Sequence, residues 1–180
     1  CVYADDLNAW RAFDTAVANE TLLGAAEGCQ ETLHEWGRAN QLVFDPEKES
    51  KHVLARVNPT GGNFKLLGIV FDGSLSMKDC VEATVRDCSW KSRNLIQARR
   101  FYDIADLVSL YKAHILSFIE YRTPAIYHAT DTCLYSLDKV QEAYLRDIGV
   151  SELEGLFLYN LAPLCARRDI AMLGMIHKAA

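Results

Sequence analysis

Cys1-Val2-Tyr3-Ala4-Asp5-Asp6-Leu7 decides how the rest of this 180-residue chain is read. Val2 and Tyr3 favour extended backbone. Leu7-Asn8-Ala9-Trp10-Arg11-Ala12-Phe13 is apolar enough to continue as a second strand, so Ala4-Asp5-Asp6 reads as the tip of a β-hairpin. Two adjacent carboxylates in such a tip repel each other unless a cation sits between or beside them. Hard oxygen donors of this kind suit Mg²⁺ or Mn²⁺, which take few carboxylates and leave room for substrate phosphates. Aspartate is also an ordinary turn residue, so the pair alone leaves a plain surface turn open.

Working outward, the chain carries its charge unevenly. The net charge of −5 argues against a generic nucleic-acid-binding surface. Residues 1–50, however, hold three Lys/Arg against ten Asp/Glu, whereas residues 51–180 hold sixteen against fourteen. In the second part Arg86, Lys91, Arg93, Arg99, Arg100 and Lys112 outnumber Asp87, Asp103 and Asp106, an excess that can follow a phosphate backbone or form a solvated helix face. Half the residues are apolar, enough for one domain with a real core or two small ones. No run approaches the roughly 18 apolar residues of a membrane span. Six cysteines, Cys1, Cys29, Cys80, Cys88, Cys133 and Cys165, lack the spacing of a zinc site or a disulfide framework, and most read as small buried hydrophobes.

Beyond the opening hairpin, Thr15 to Gln41 has helical spacing through Val17, Leu22, Ala26, Cys29, Leu33 and Trp36, with Glu20, Glu27, Glu31 and Glu35 on other faces. Leu42-Val43-Phe44 reads as a short strand, Asp45-Pro46-Glu47 as a turn, and Lys51 to Val57 as an alternating strand. Asn58 to Asn63 turns the chain into Phe64-Lys65-Leu66-Leu67-Gly68-Ile69-Val70-Phe71, again extended. After Gly73-Ser74 the strand signals cease, and 77–100, 103–121 and 131–148 read as helices. The expected fold class is therefore α+β, with a domain boundary near residue 76.

The order of these motifs resembles the palm and thumb of a reverse transcriptase, most closely those of non-LTR (LINE-type) retrotransposons. Tyr3-Ala4-Asp5-Asp6 matches the catalytic hairpin. Trp36 to Lys48 is similar to the family pattern of a tryptophan, a polar link, an apolar strand and Asn-Pro-x-Lys-Thr. Phe64-Lys65-Leu66-Leu67-Gly68-Ile69 matches a Tyr-Leu-Gly hairpin. Leu110-Tyr111-Lys112-Ala113 and Ile119-Glu120-Tyr121 match the thumb, and Val140-Gln141 and Arg167-Arg168-Asp169 sit where relatives carry similar residues. Asp45 replaces the usual Asn, and Glu49 the usual Thr, which places an acid beside Lys48 and makes Lys51 a competing candidate for its role.

The resemblance implies a partial polymerase palm over 1–75, antiparallel strands with an amphipathic helix, then an all-helical thumb over 76–150 and a post-thumb helical segment over 151–180. It implies an RNA-directed DNA polymerase acting on an RNA template, a DNA primer and deoxynucleoside triphosphates, with two Mg²⁺ (or Mn²⁺) ions, no membrane partner, and nuclear work at the site of integration. Asp5 and Asp6 would be metal ligands, Asp5 the direct one. Lys48 would stabilise pyrophosphate. Tyr3, Ala4, Phe64, Leu67 and Gly68 would lie near primer and nucleotide, while Arg86, Lys91, Arg93, Arg99, Arg100 and Lys112 would meet the nucleic-acid backbone. Trp90, Tyr102, Tyr111 and Tyr121 are expected to pack rather than stack on bases. The chain is expected to be a piece cut within the catalytic strand, inactive by itself because fingers and the other metal-binding aspartate lie upstream. Two other classes stay open: a non-catalytic palm remnant that binds nucleic acid or protein, and a nucleotide cyclase, which the helical second half disfavours.

Overall fold

The structure, a computed structural model, describes residues 2–3, 6–14 and 17–179, with backbone alone at 2, 3 and 6. It is an α+β chain in which two small antiparallel ribbons precede a predominantly helical body.

β1 (Val2–Tyr3) pairs with β2 (Asp6–Leu7) in the register Val2↔Leu7 and Tyr3↔Asp6. The expected continuation of β2 to Phe13 does not form. A two-stranded ribbon needs a covered face, and Trp10 stands 85 % exposed.

α1 (Asn19–Ala39) occupies most of the span expected from Thr15 to Gln41. It stops in a pair of backbone hydrogen bonds: the Gln41 N–H donates to Arg38 O at 3.4 Å and the Leu42 N–H to Gly37 O at 2.8 Å, with Gln41 at φ 58°. Leu42 is spent on this cap. The expected strand Leu42–Phe44 is absent for that reason and because nothing among the described residues pairs with it; Val43 is 97 % exposed. Phe44 instead folds back on Gly37, where a β-carbon would come within 2.7 Å of its ring, so only glycine lets the loop approach. The expected strand over 51–57 shrinks to one bridge, Val53↔Thr60, since Asn58 turns at φ 56° and Pro59 offers no N–H.

The run Phe64–Phe71 resolves into β3 (Phe64–Leu66) and β4 (Ile69–Phe71), antiparallel, joined by a two-residue turn with Leu67 at φ 48° and Gly68 at φ 80°. Ile69 is buried in the same apolar core as Met77 and the helices that follow, and Phe71 packs against it. The link between hairpin and helices is tied down: Asp72 accepts from Ser74 Oγ at 2.5 Å and from the N–H groups of Ser76 and Met77 at 2.9 and 2.7 Å.

The helical body comprises α2 (Lys78–Gln97), α3 (Ile104–Tyr111), α4 (Ser117–Ile126), α5 (Asp131–Asp147), α6 (Glu152–Tyr159) and α7 (Leu164–Ala179). The segment expected as one helix over 103–121 is α3, a π-helical turn at Lys112–Leu116 and the start of α4. α2 packs most extensively along α5. Their apolar sides, with Val81, Cys88, Leu137 and Tyr144, enclose Tyr111, Ile115 and Ile119 from the α3–α4 run. Tyr111 stacks on Tyr144 at 4.7 Å, and the Tyr144 hydroxyl donates to Leu107 O at 2.8 Å. Burial pushes the phenol of Tyr144 up to about 12 and that of Tyr111 higher still. No helix among the described residues is long and apolar enough to cross a membrane.

Candidate functional site

Three pieces carry the candidate site. The first is the opening hairpin. Its pairing sets Asp6 opposite Tyr3. Ala4 and Asp5 lie outside the described residues, as do the side chains of Tyr3 and Asp6. Among the described residues no three His, Cys, Asp or Glu side chains gather as a metal site would need. Two adjacent carboxylates have the chemistry of one side of a cage for a hard divalent cation.

The second piece is the loop after α1. A single 3₁₀ turn, Pro46–Lys48, is capped by Asp45, whose carboxylate accepts from the Glu47 N–H at 3.1 Å. Lys48 projects into solvent with its side chain 84 % exposed, 3.5 Å from Asp45. Glu49 accepts from His34 Nε2 at 2.8 Å and from Gln30 Nε2. The His34 and Gln30 hydrogen bonds hold its carboxyl below the ordinary range. Lys51 pairs with Glu27 at 3.2 Å. Glu49 and Lys51 therefore stitch the loop to α1, and of the two lysines Lys48 is the one free of α1.

The third piece is the β3–β4 hairpin with the helices behind it. Phe64 stacks on Phe71 at 5.4 Å and lies 4.5 Å from the His52 ring. Leu67 holds the tip, 42 % exposed, and its carbonyl accepts from Tyr121 Oη at 2.7 Å, which pins the tip to α4. A β-carbon at Gly68 would meet nothing, so its positive φ, and no close neighbour, is what calls for glycine.

The six basic residues separate into groups. Arg86, Lys91 and Arg93 line one cleft with Asp87, Trp90 and Phe118. Arg99 donates to Asp147 O at 3.2 Å, and Arg100 lies against its neighbour Phe101. Lys112 points elsewhere, half-buried, its ammonium donating to Tyr159 O. Of the four aromatics expected to pack, Tyr111 is buried, whereas Trp90, Tyr102 and Tyr121 are 61 %, 46 % and 57 % exposed. An aromatic at helical spacing is ambiguous between core and surface until the neighbouring helix is placed.

Sequence reasoning missed what Arg167-Arg168-Asp169 does in the fold. Arg167 Nε bonds Glu120 on α4 at 2.6 Å, Arg168 grips Asp138 on α5, and Asp169 accepts from Tyr127 Oη at 2.9 Å. Three consecutive residues thus clamp α7 to the body. The signal available in the sequence was a run of charges at a helix start with no matching acid at i+4.

Compared with protein-family models, curated proteins and solved structures, the chain matches none. The chain's class is accordingly that of its architecture, an α+β protein with a small strand content.

Proposed function

We propose that this chain is the C-terminal part of the palm, with the thumb, of an RNA-directed DNA polymerase of the non-LTR retrotransposon type. The observation that carries the reading is order: a short antiparallel ribbon pairing Val2–Tyr3 with Asp6–Leu7, an amphipathic helix, a lysine-bearing turn, a tight Leu-Gly hairpin and a helical body follow one another along the chain. Tyr3 and Ala4 flank the primer end. Phe64, Leu67 and Gly68 hold the primer terminus in line, a task suited to a hairpin whose tip is tied to α4 by Tyr121. Lys48, exposed and clear of α1, is the cation for the pyrophosphate side. Asp5 and Asp6 would hold part of the cage for two Mg²⁺ or Mn²⁺ ions, which would supply charge stabilisation to the primer 3′-hydroxyl and the leaving pyrophosphate. The helical body holds an RNA template paired to a DNA primer through sugar and phosphate.

The test is equilibrium binding of the chain to a mixed-sequence RNA–DNA hybrid, followed by fluorescence anisotropy over stepped salt. Hybrid binding that weakens steeply with salt and is indifferent to sequence is expected. Failure to bind the hybrid even at about 50 mM salt removes the reading.

A further inference from the structure

The face of α2 that looks away from the core repeats Arg86, Trp90 and Arg93 at i, i+4 and i+7, which sets them in a row about 10 Å long. Trp90 is 61 % exposed, a large apolar ring left in water beside two guanidinium groups that line the same cleft. Arg86 makes no hydrogen bond or ion pair among the described residues, and Arg93 engages only Ser89 O of its own helix, through Nε at 3.4 Å, so its terminal nitrogens remain free. The neighbouring groups are already committed. Lys91 donates to His114 O at 3.2 Å and sits 3.8 Å from the centre of the Phe118 ring, which Arg122 also approaches at 3.6 Å. Phe118 is thereby covered by two cations, and Trp90 is the aromatic of this cleft with an open face.

From this arrangement we infer that the α2 cleft binds single-stranded nucleic acid, one unpaired base stacking on the Trp90 indole while Arg86 and Arg93 take the phosphates on either side of it. An indole can reach the face of a base only where the base is unstacked from its neighbours, whereas a duplex offers the same surface nothing but phosphates. Asp87 lies in the same cleft and opposes a phosphate set against it, which favours a flat neutral base between the two phosphates that the arginines hold. The inference rests on the proposed polymerase reading for its choice of polymer: an enzyme that copies a strand has unpaired template on one side of its duplex.

The experiment uses the whole chain with two labelled probes, a 12-nucleotide uridylate strand and the RNA–DNA hybrid. Trp90→Ala is expected to weaken uridylate binding by roughly five- to a hundredfold, the range for removal of one base–aromatic stack, and to change hybrid binding less than about twofold. Trp90→Phe, which keeps a flat ring, should recover most of that affinity. In a Trp10→Phe/Trp36→Phe background the remaining indole emission should be quenched by uridylate and not by the hybrid. Unaltered uridylate affinity in Trp90→Ala, equal weakening on both probes, or no binding of uridylate by the wild-type chain would each overturn the inference. Hybrid binding in that last case leaves the polymerase reading standing, whereas Trp90-dependent uridylate binding without hybrid binding upholds the cleft and removes that reading.

Discussion

Arg168 grips Asp138 with two hydrogen bonds, Nη1 to Oδ1 at 2.7 Å and Nη2 to Oδ2 at 3.1 Å, and the arginine is 6 % exposed. This fork joins α7 to α5, with the arginine buried and the aspartate side chain 19 % exposed. Removing one partner strands the other charge in a poorly solvated place, which costs about 3–5 kcal/mol. Arg168→Ala should therefore lower the urea midpoint severely. Arg167→Ala, whose partner Glu120 is 39 % exposed, should cost no more than about 1 kcal/mol. Equal midpoints for the two variants would show that burial does not set the strength of this clamp.

A second relationship governs the joint between hairpin and helices. Burial pushes the Asp72 carboxyl up, but the hydrogen bonds from Ser74, Ser76 and Met77 outweigh it and hold it down at about 2, below the ordinary 3.8. A depressed folded-state value means that the carboxylate's contribution to stability is complete above about pH 4 and is lost as pH falls through about 2. Urea unfolding of the wild type between pH 5 and pH 2 should show a decline that is shallower in Asp72→Asn, in which Glu49 and Glu154 still titrate. At pH 7 that variant should be less stable by about 1–2 kcal/mol, the cost of leaving backbone N–H groups poorly paired. An identical acid limb in wild type and variant would assign the decline to other carboxylates.

The tip of the β3–β4 hairpin predicts a gain. Leu67 sits at φ 48°, a region that costs a branched aliphatic residue energy and that Asn tolerates, and a two-residue primed turn favours Asn-Gly. Its side chain is 42 % exposed, and the hydrogen bond from Tyr121 uses the backbone carbonyl, so the substitution leaves that bond in place. Leu67→Asn should raise stability by about 0.5–1 kcal/mol, read as a higher thermal midpoint. A lower midpoint would mean that the leucine side chain packs in a way its exposure does not reveal.

These relationships also explain which parts of the fold were legible beforehand. α1, α2 and α5 announce themselves because the period of their apolar residues is a local property, and the Leu-Gly turn because its chemistry is local too. Leu42–Phe44 and 51–57 have strand composition, yet a strand exists only where a partner supplies hydrogen bonds, and no short stretch of sequence names its partner. The π turn at Lys112–Leu116 left no sequence signal. Of the candidate site, the order of motifs was readable, as was the basic character of α2. That Glu49 and Lys51 serve α1, that Lys112 serves Tyr159 and that Trp90 faces outward all depend on tertiary neighbours.

The same division among the basic residues gives the last prediction, on how each one enters hybrid binding. Each phosphate neutralised releases counterions and adds about 0.9 to the slope of log affinity against log salt. Arg86 and Arg93 have guanidinium nitrogens free for phosphate, so the double variant Arg86→Ala/Arg93→Ala should flatten the slope by roughly two. Arg99 spends one donor on Asp147 O but remains exposed, as does Arg100, so Arg99→Ala/Arg100→Ala should also flatten it, by about one for each phosphate no longer neutralised. Lys112 gives its ammonium to Tyr159 O, and Lys112→Ala should leave the slope unchanged while reducing stability, because the α6 carbonyl then has no donor. Anisotropy titrations from about 50 to 200 mM salt measure all three slopes on one probe. A flattened slope in Lys112→Ala, with unchanged slopes in both arginine pairs, would move the phosphate-binding surface from the outer face of α2 to the junction of the π turn with α6.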